Sequence, residues 1–349
     1  MTRILKIEGG CGRPAVIEQA AQALADGGLC VFPTETVYGL AANGDIPEAV
    51  RRLDAVKQRP PGKPYTLMLA SKEDLKNHVS KVPLIARNVI ERFWPGPLTV
   101  VFGDEAGEGM GVRVPASETA REILRAANVP ALVTSANVSG EQPAATGREA
   151  AESLDGLVDV IVDEGETPLK EPSTVVEFIE GKWHILREGL ISESMIAKHA
   201  QATLLFVCAG NACRSPLAEV ICKRLLARRL DCAYDQVDDL GYRVMSAGTS
   251  AAPGGAAAEN ARTVASEIGC DLTDHTTRPL TLQLVAEADL IYTMAADHLP
   301  DVIEMGGEGK TTRMGDADIP DPIGGDLEDY RECADEIEDD LMALLGKIL

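Results

Sequence analysis

A two-domain α/β protein is what this sequence predicts, on three observations. At 349 residues the chain exceeds what one hydrophobic core ordinarily organises, and a prior of about 150 residues per domain makes two the expectation. Apolar runs of strand length and segments of helical period follow one another in both halves, as in layered α/β architectures. Between Leu190 and Gln201 the tract follows a glycine and shows no strand alternation, which places the junction there. The expected domains are residues 1–192 and 202–349, with 193–201 as a linker. The second is expected to hold a parallel sheet flanked by helices, its site at the strand ends.

The elements follow in order. Glu18 to Asp26 is Ala-rich and reads as a helix. Gly28-Leu-Cys-Val-Phe-Pro33 reads as a strand entering a turn at Thr34-Glu-Thr-Val-Tyr-Gly39. A helix from Pro47 to Val56 delivers Lys57 and Arg59 to a loop mouth, with Lys63 four residues on. The prolines of Pro60-Pro-Gly-Lys-Pro-Tyr65 stiffen that loop ahead of the strand Thr66-Leu-Met-Leu-Ala70. Leu132-Val-Thr-Ser-Ala-Asn-Val-Ser-Gly140 ends an apolar strand in small polar side chains. In the second half Thr203 to Val207 reads as a buried strand, Cys208 to Ser215 as a loop, and Pro216 to Leu226 as a helix with Pro near its first turn. Ile319-Pro-Asp-Pro-Ile-Gly-Gly-Asp326 is an acidic turn segment before the final helical stretch. There is no internal repeat, and residues 251–258 are the one Ala/Gly-rich tract.

Composition narrows the function classes. Hydrophobic content of 45% with 25% charged residues is globular. Eight cysteines without a Cys-x-x-Cys argue for reduced thiols and against a disulfide framework or zinc ribbon. No apolar run approaches the length of a membrane span, and the first residues lack a signal peptide's apolar core, so a cytoplasmic location without membrane attachment is expected. The net charge of −22 divides into about −7 over residues 1–200 and about −15 over the rest, poor electrostatics for gripping a nucleic-acid backbone. Within that acidic whole, Arg51 to Arg92 carries a local excess of Lys and Arg, a candidate face for an anionic ligand.

Cys208-Ala-Gly-Asn-Ala-Cys213-Arg214-Ser215 puts a thiol, flexible backbone amides and a guanidinium where one phosphate would touch all three. Strand, loop and helix in that order aim the amides and the positive helix end at the loop centre, which binds an anion and favours the thiolate. Arg214 would grip two phosphoryl oxygens in its planar fork. On these residues, the segment 202–349 resembles the low-molecular-weight protein tyrosine phosphatase family, which includes bacterial protein-arginine phosphatases and arsenate reductases. The resemblance implies that Asp321, in Asp321-Pro322, protonates the leaving group and then activates water. It further implies that Asn211, Ser215, Ser246 and His275 hold the loop in shape. Two in-line displacements through a cysteinyl-phosphate, without a metal or cofactor, are implied on a phosphorylated protein. Ile323-Gly-Gly replaces the aromatic wall of tyrosine-specific members and looks like the arginine branch, whereas Ala212 stands where that branch has Thr. Both phosphotyrosine and phosphoarginine therefore stay open, as does an arsenate reductase-like or phosphate-recognition role. Cys213 is a candidate partner for a reversible disulfide with Cys208, with core packing as the alternative.

In the first half, Lys57, Arg59 and Lys63 among prolines form a rigid cationic display suited to a triphosphate. Together with Pro33 to Leu40, Phe93-Trp-Pro-Gly-Pro-Leu-Thr99, Leu132 to Gly140, Pro172-Ser-Thr-Val-Val176 and Arg187-Glu-Gly189, this loop resembles the YrdC-like family of L-threonylcarbamoyladenylate synthases over about residues 8–192. The resemblance implies an open twisted α/β fold around a positively lined pocket for ATP, L-threonine and bicarbonate. It implies that the threonine carbamate attacks the α-phosphorus of ATP, and that other enzymes use the product to modify adenosine 37 of tRNAs. Lys57, Arg59 and Lys63 would lie on phosphates and carbamate, Thr34 and Ser135 near threonine, and Asn137, Ser139, Ser173 and Arg187 near nucleotide or phosphates. Mg²⁺ is expected to arrive with ATP, since no motif marks a metal cage. Phe93-Trp94 is expected as core or pocket wall. The alternative is a double-stranded RNA-binding module, with weak RNA binding as its sign.

Overall fold

The computed structural model describes residues 1–8, 12–58, 65–103, 109–138 and 140–349, Lys347 by its backbone alone. They form two compact units: Met1–Val82, Val89–Ile179 and Trp183–His199 make the first, and Ala200–Leu349 with Pro83–Asn88 and Glu180–Lys182 the second. Among the described residues no helix is long and apolar enough to cross a membrane.

The described strands of the first unit are β1 (Arg3–Lys6), β2 (Cys30–Pro33), β3 (Tyr38–Asn43), β4 (Thr66–Met68), β5 (Leu98–Phe102), β6 (Met110–Arg113), β7 (Ala131–Ser135), β8 (Val160–Asp163), β9 (Thr174–Ile179) and β10 (Lys182–Arg187). They join in one open mixed sheet, ordered β1-β8-β2-β3-β7-β4-β6-β5-β9-β10. Helices α1 (Arg13–Ala25), α2 (Pro47–Lys57), α3 (Leu84–Phe93), α4 (Glu118–Ala127), α5 (Gly147–Leu154) and α6 (Glu193–His199) accompany it. Alternation along the strands builds two cores. Cys30, Phe32, Ala41, Val160 and Val162 pack with Val16, Leu24 and Ile123 on one face. Val31, Leu40 and Ile161 pack with Leu53 and Leu154 on the other.

Several elements differ from the sequence reading. Helix α1 starts at Arg13, five residues before the expected Glu18, because Gly12 takes a left-handed φ of 77° and Pro14 occupies the first turn. Strand β3 runs antiparallel to β2 with Pro33 opposite Tyr38, so the expected turn closes within Thr34–Val37. The expected linker contains helix α6, whose Ile196 is fully buried. Apolar residues at helical spacing there outweigh the absence of strand alternation.

In the second unit β11 (Ala202–Cys208), β12 (Tyr242–Gly248), β13 (Leu290–Thr293) and β14 (Thr311–Arg313) form an all-parallel sheet in the order β12-β11-β13-β14. Helices α7 (Arg214–Arg229), α8 (Glu259–Glu267), α9 (Leu282–Glu287), α10 (Leu299–Val302) and α11 (Leu327–Ile348) complete it. Leu205, Val207, Met245 and Ile291 pack against Val285 of α9 and Val302 of α10. Helices α7 and α11 pack on one another. The chain leaves β11 for β12 on one side and returns to β13 on the other, so the loop after Cys208 sits at the topological switch point, where such sheets bind ligands.

Candidate active sites

At the β11–α7 junction, Cys208 ends a fully buried strand and is itself buried. Asn211 makes the turn with a left-handed φ of 53°, a conformation that asparagine tolerates better than most residues. That turn aims its amide at the sulfur: Asn211 N–H donates to Cys208 Sγ at 3.3 Å. The Asn211 side-chain amide donates to Ser215 Oγ at 3.0 Å and to Ser246 Oγ at 2.8 Å. The Ser246 hydroxyl donates to the Glu219 carboxylate at 2.6 Å. Ser215 Oγ lies 3.0 Å from Cys208 Sγ, and its hydroxyl also donates to the Ala247 carbonyl at 3.3 Å. His275 Nε2 lies 2.9 Å from the Asn211 carbonyl, and Arg278 N–H donates to Asn211 Oδ1 at 2.9 Å. Every expected support residue thus meets at one loop.

Arg214, buried at the first turn of α7, donates to the Ile319 carbonyl at 3.2 Å and pairs with the Asp321 carboxylate. Arg214 and Asp321 are thus paired at the head of α7, next to Ser215, whose Oγ lies 3.0 Å from Cys208 Sγ. Cys213 faces Tyr330 OH at 3.3 Å, and burial pushes its thiol up, which keeps it protonated. The described cysteines are all unbridged. Glu219, Arg278 and Tyr330 are site residues that the sequence reading missed. Glu219 joins the site through Ser246, and Arg278 through both Asn211 and Ser246, and nothing local marks them.

The first unit encloses a cavity of about 370 Å³ lined by Thr34, Thr36, Thr99, Arg113, Ser135, Ser173 and Arg187 among others. Thr34 is turned inward by its own loop, its hydroxyl donating to the Val37 carbonyl at 2.6 Å. Ser173 Oγ lies 2.9 Å from Thr99 Oγ1, and Arg187 donates twice to the Ser173 carbonyl, at 3.1 and 2.8 Å. The sequence reading missed Arg113. Its guanidinium, on β6, donates to Glu35 at 2.6 Å and to Thr36 at 2.9 Å, and both ion-pair partners are more than nine-tenths buried. A charged residue inside the apolar run Gly-Val-Arg-Val is the signal that would have found it. Burial pushes the Arg187 guanidinium below its ordinary value, and the Arg113 charge adds to this. Two cations thus share this cavity.

Lys57 closes α2 and donates to the Ser135 carbonyl at 2.8 Å and to both oxygens of Asn137, at 2.5 and 3.1 Å. It ties the turn after β7 in place, and neither Lys57 nor Asn137 lines the cavity. Arg59, Lys63 and Ser139 lie outside the described residues. Trp94 is buried, its indole N–H donating to the Leu98 carbonyl at 2.8 Å, as expected of core or wall. A larger hollow of about 630 Å³ between α1 and α4 holds none of the expected residues, and its Arg13 is engaged by Glu122 and Glu164 at 2.9 and 3.1 Å. Among the described residues no group of three His, Cys, Asp or Glu is placed to hold a metal ion.

Two protein families match, one in each half of the chain. The Sua5/YciO/YrdC family, described as "Telomere recombination", matches residues 22–189, and the low molecular weight phosphotyrosine protein phosphatase family matches residues 203–349. The threonylcarbamoyl-AMP synthase of Pyrococcus abyssi is 36% identical over 182 residues, 50% of this chain and 54% of that protein. The chain therefore spans about half the length of that relative. The crystal structure of P. abyssi Sua5 complexed with L-threonine is 25% identical, with a TM-score of 0.53, over 70% of this chain and 92% of that one. The YwlE arginine phosphatase from Geobacillus stearothermophilus is 31% identical, with a TM-score of 0.37, over 42% of this chain and 92% of that one.

Proposed function

Because the chain joins a Sua5/YciO/YrdC-family domain to a low-molecular-weight phosphotyrosine phosphatase-family domain, we propose that it is a two-headed enzyme: a threonylcarbamoyl-AMP synthase and a cysteine-dependent phosphatase. For the first head the observation that carries the reading is the pair Arg113 and Arg187 on one cavity with Glu35 as the carboxylate beside them. Among the described residues Arg187 has no carboxylate partner, so the cavity suits an anionic guest. L-Threonine fits through its carboxylate on Arg187 and its hydroxyl and amine among Thr34, Thr36 and Ser135. Its carbamate, formed with bicarbonate, attacks the α-phosphorus of ATP, and pyrophosphate leaves. ATP enters as its magnesium complex, the ion held by the phosphates. Lys57, Arg59, Lys63, Asn137, Ser139 and Ser173 serve the nucleotide end. The test is pyrophosphate release, expected only with ATP, L-threonine and bicarbonate together. Release without threonine, or RNA binding without turnover, overturns this reading.

For the second head the carrying observation is Cys208 Sγ surrounded by Asn211 N–H and Ser215 OH, with Arg214 and Asp321 paired beside it. A phosphoryl group takes the Arg214 fork from Asp321, the sulfur displaces the leaving group, and Asp321 supplies its proton. Asp321 then deprotonates the water that cleaves the cysteinyl-phosphate. Ile323, highly exposed beside this site, offers no aromatic wall, which favours phosphoarginine over phosphotyrosine. Peptides carrying each modification decide this: a tyrosine preference of about tenfold or more rejects phosphoarginine.

A further inference from the structure

His298 has no part in the chemistry above, yet it is buried, and its Nδ1 is sealed from solvent without a hydrogen-bond partner. An orphan of this kind is uncommon in a folded protein and calls for a reason. The segment around it is fastened to the loop that carries Asp321. Ile319 N–H donates to the Met294 carbonyl at 2.8 Å, and Ala296 N–H donates to Asp318 Oδ1 at 2.9 Å. Arg214 reaches the same seam through the Ile319 carbonyl. The charges acting on the imidazole are Arg214 from the head of α7, Asp297 and Asp301 from its own segment, and Asp318 and Asp321 from the acid loop. Arg313 on β14 is neutralised by Asp318 at 3.0 Å. Burial, and then Arg214, push His298 below its ordinary value, so near neutrality it is uncharged. With its proton on Nε2, the imidazole presents Nδ1 as an acceptor.

Resting on the phosphatase reading, we propose that His298 is a positioning residue for phosphoryl transfer: its vacant Nδ1 accepts an Arg214 N–H when Asp321 gives up the guanidinium to the phosphoryl group. In the resting enzyme Asp321 holds that guanidinium, but the general acid must be protonated and free to turn toward the leaving group. A second acceptor keeps the fork aimed during that exchange. A protonated His298 has no lone pair to offer and repels Arg214, so the device fails on the acid side.

The experiment compares wild type, His298→Asn and His298→Leu with para-nitrophenyl phosphate as probe, measuring kcat and KM from pH 5 to 8 and the thermal midpoint of each. His298→Leu is expected to lose about tenfold in kcat at pH 7. His298→Asn, which keeps an acceptor but cannot charge, is expected to stay within about threefold of wild type and to lose the acid fall in kcat. A folded Leu variant with wild-type kcat overturns the proposal. If the Leu variant does not fold, the Asn variant decides alone: an unchanged acid limb overturns it. A wild type that hydrolyses no probe rejects the phosphatase reading, and the proposal with it.

Discussion

At the scale of single residues, Cys208 and Arg113 represent two kinds of dependence. In the proposed mechanism Cys208 forms the covalent intermediate, so Cys208→Ser is expected to lower phosphatase kcat by more than about a thousandfold while the thermal midpoint stays within a few degrees. Arg113 is bound to Glu35 in the interior, and removing one member of a buried pair leaves the other charge uncompensated. Arg113→Ala should therefore destabilise the first unit by about 3–5 kcal/mol, measured by urea denaturation, as well as abolish synthesis. Replacing both partners by Met should return most of the stability and none of the synthesis. His298 adds a pH term. Its native value lies below the ordinary 6.5, so as pH falls the unfolded chain binds the proton first. The stability it contributes is complete above about 6.5 and is lost as pH falls through the native value. The urea midpoint should fall less between pH 7 and 5 in His298→Asn than in wild type. Of these residues the sequence reading singled out Cys208 and passed over Arg113 and His298. Cys208, Arg214 and Ser215 lie within eight consecutive residues, so their joint chemistry is local. Arg113 and Glu35 come from positions 78 apart, and only the sheet brings them together.

Among elements, the junction of β11 and α7 shows how closely backbone packing controls the site. Gly248 ends β12 beside the loop, and a Cβ there would lie 2.4 Å from the Ala209 carbonyl oxygen and 2.9 Å from Asn211 N. Backbone on both sides cannot yield cheaply. Gly248→Ala is expected to cost roughly 2–3 kcal/mol and to depress phosphatase kcat more than synthesis, checked by denaturation and paired assays. Strand β11 and helix α7 were legible because a wholly apolar run and a proline at a first turn are strong local signals. Helix α6 was not, since seven residues show barely two turns of period and its claim rests on burying Ile196. Strand β3 was hidden for a related reason: Tyr38–Asn43 is buried on both faces, so it has no polar alternation to read.

Over the whole molecule, two compact units, each with its own proposed anion site, make independent heads the expectation. Cys208→Ser should retain synthesis and Lys57→Ala should retain phosphatase activity, each measured on the same preparation. Loss of both activities from either substitution would reject independence. Lys57→Ala acts in this view by releasing the Ser135–Asn137 turn as much as by removing a cation.

The partners that shape the thiol's turn are remote along the chain. Asn211 is held by Ser246, His275 and Arg278, which come 35, 64 and 67 residues later, and Arg214 meets Asp321 only 107 residues on. At translation rates of roughly 5–20 residues per second, the last of these appears about 5–20 s after Arg214 is made. For that interval the nascent polypeptide bears an ordinary cysteine, and phosphatase competence arrives only once the acid loop has been synthesised and has docked.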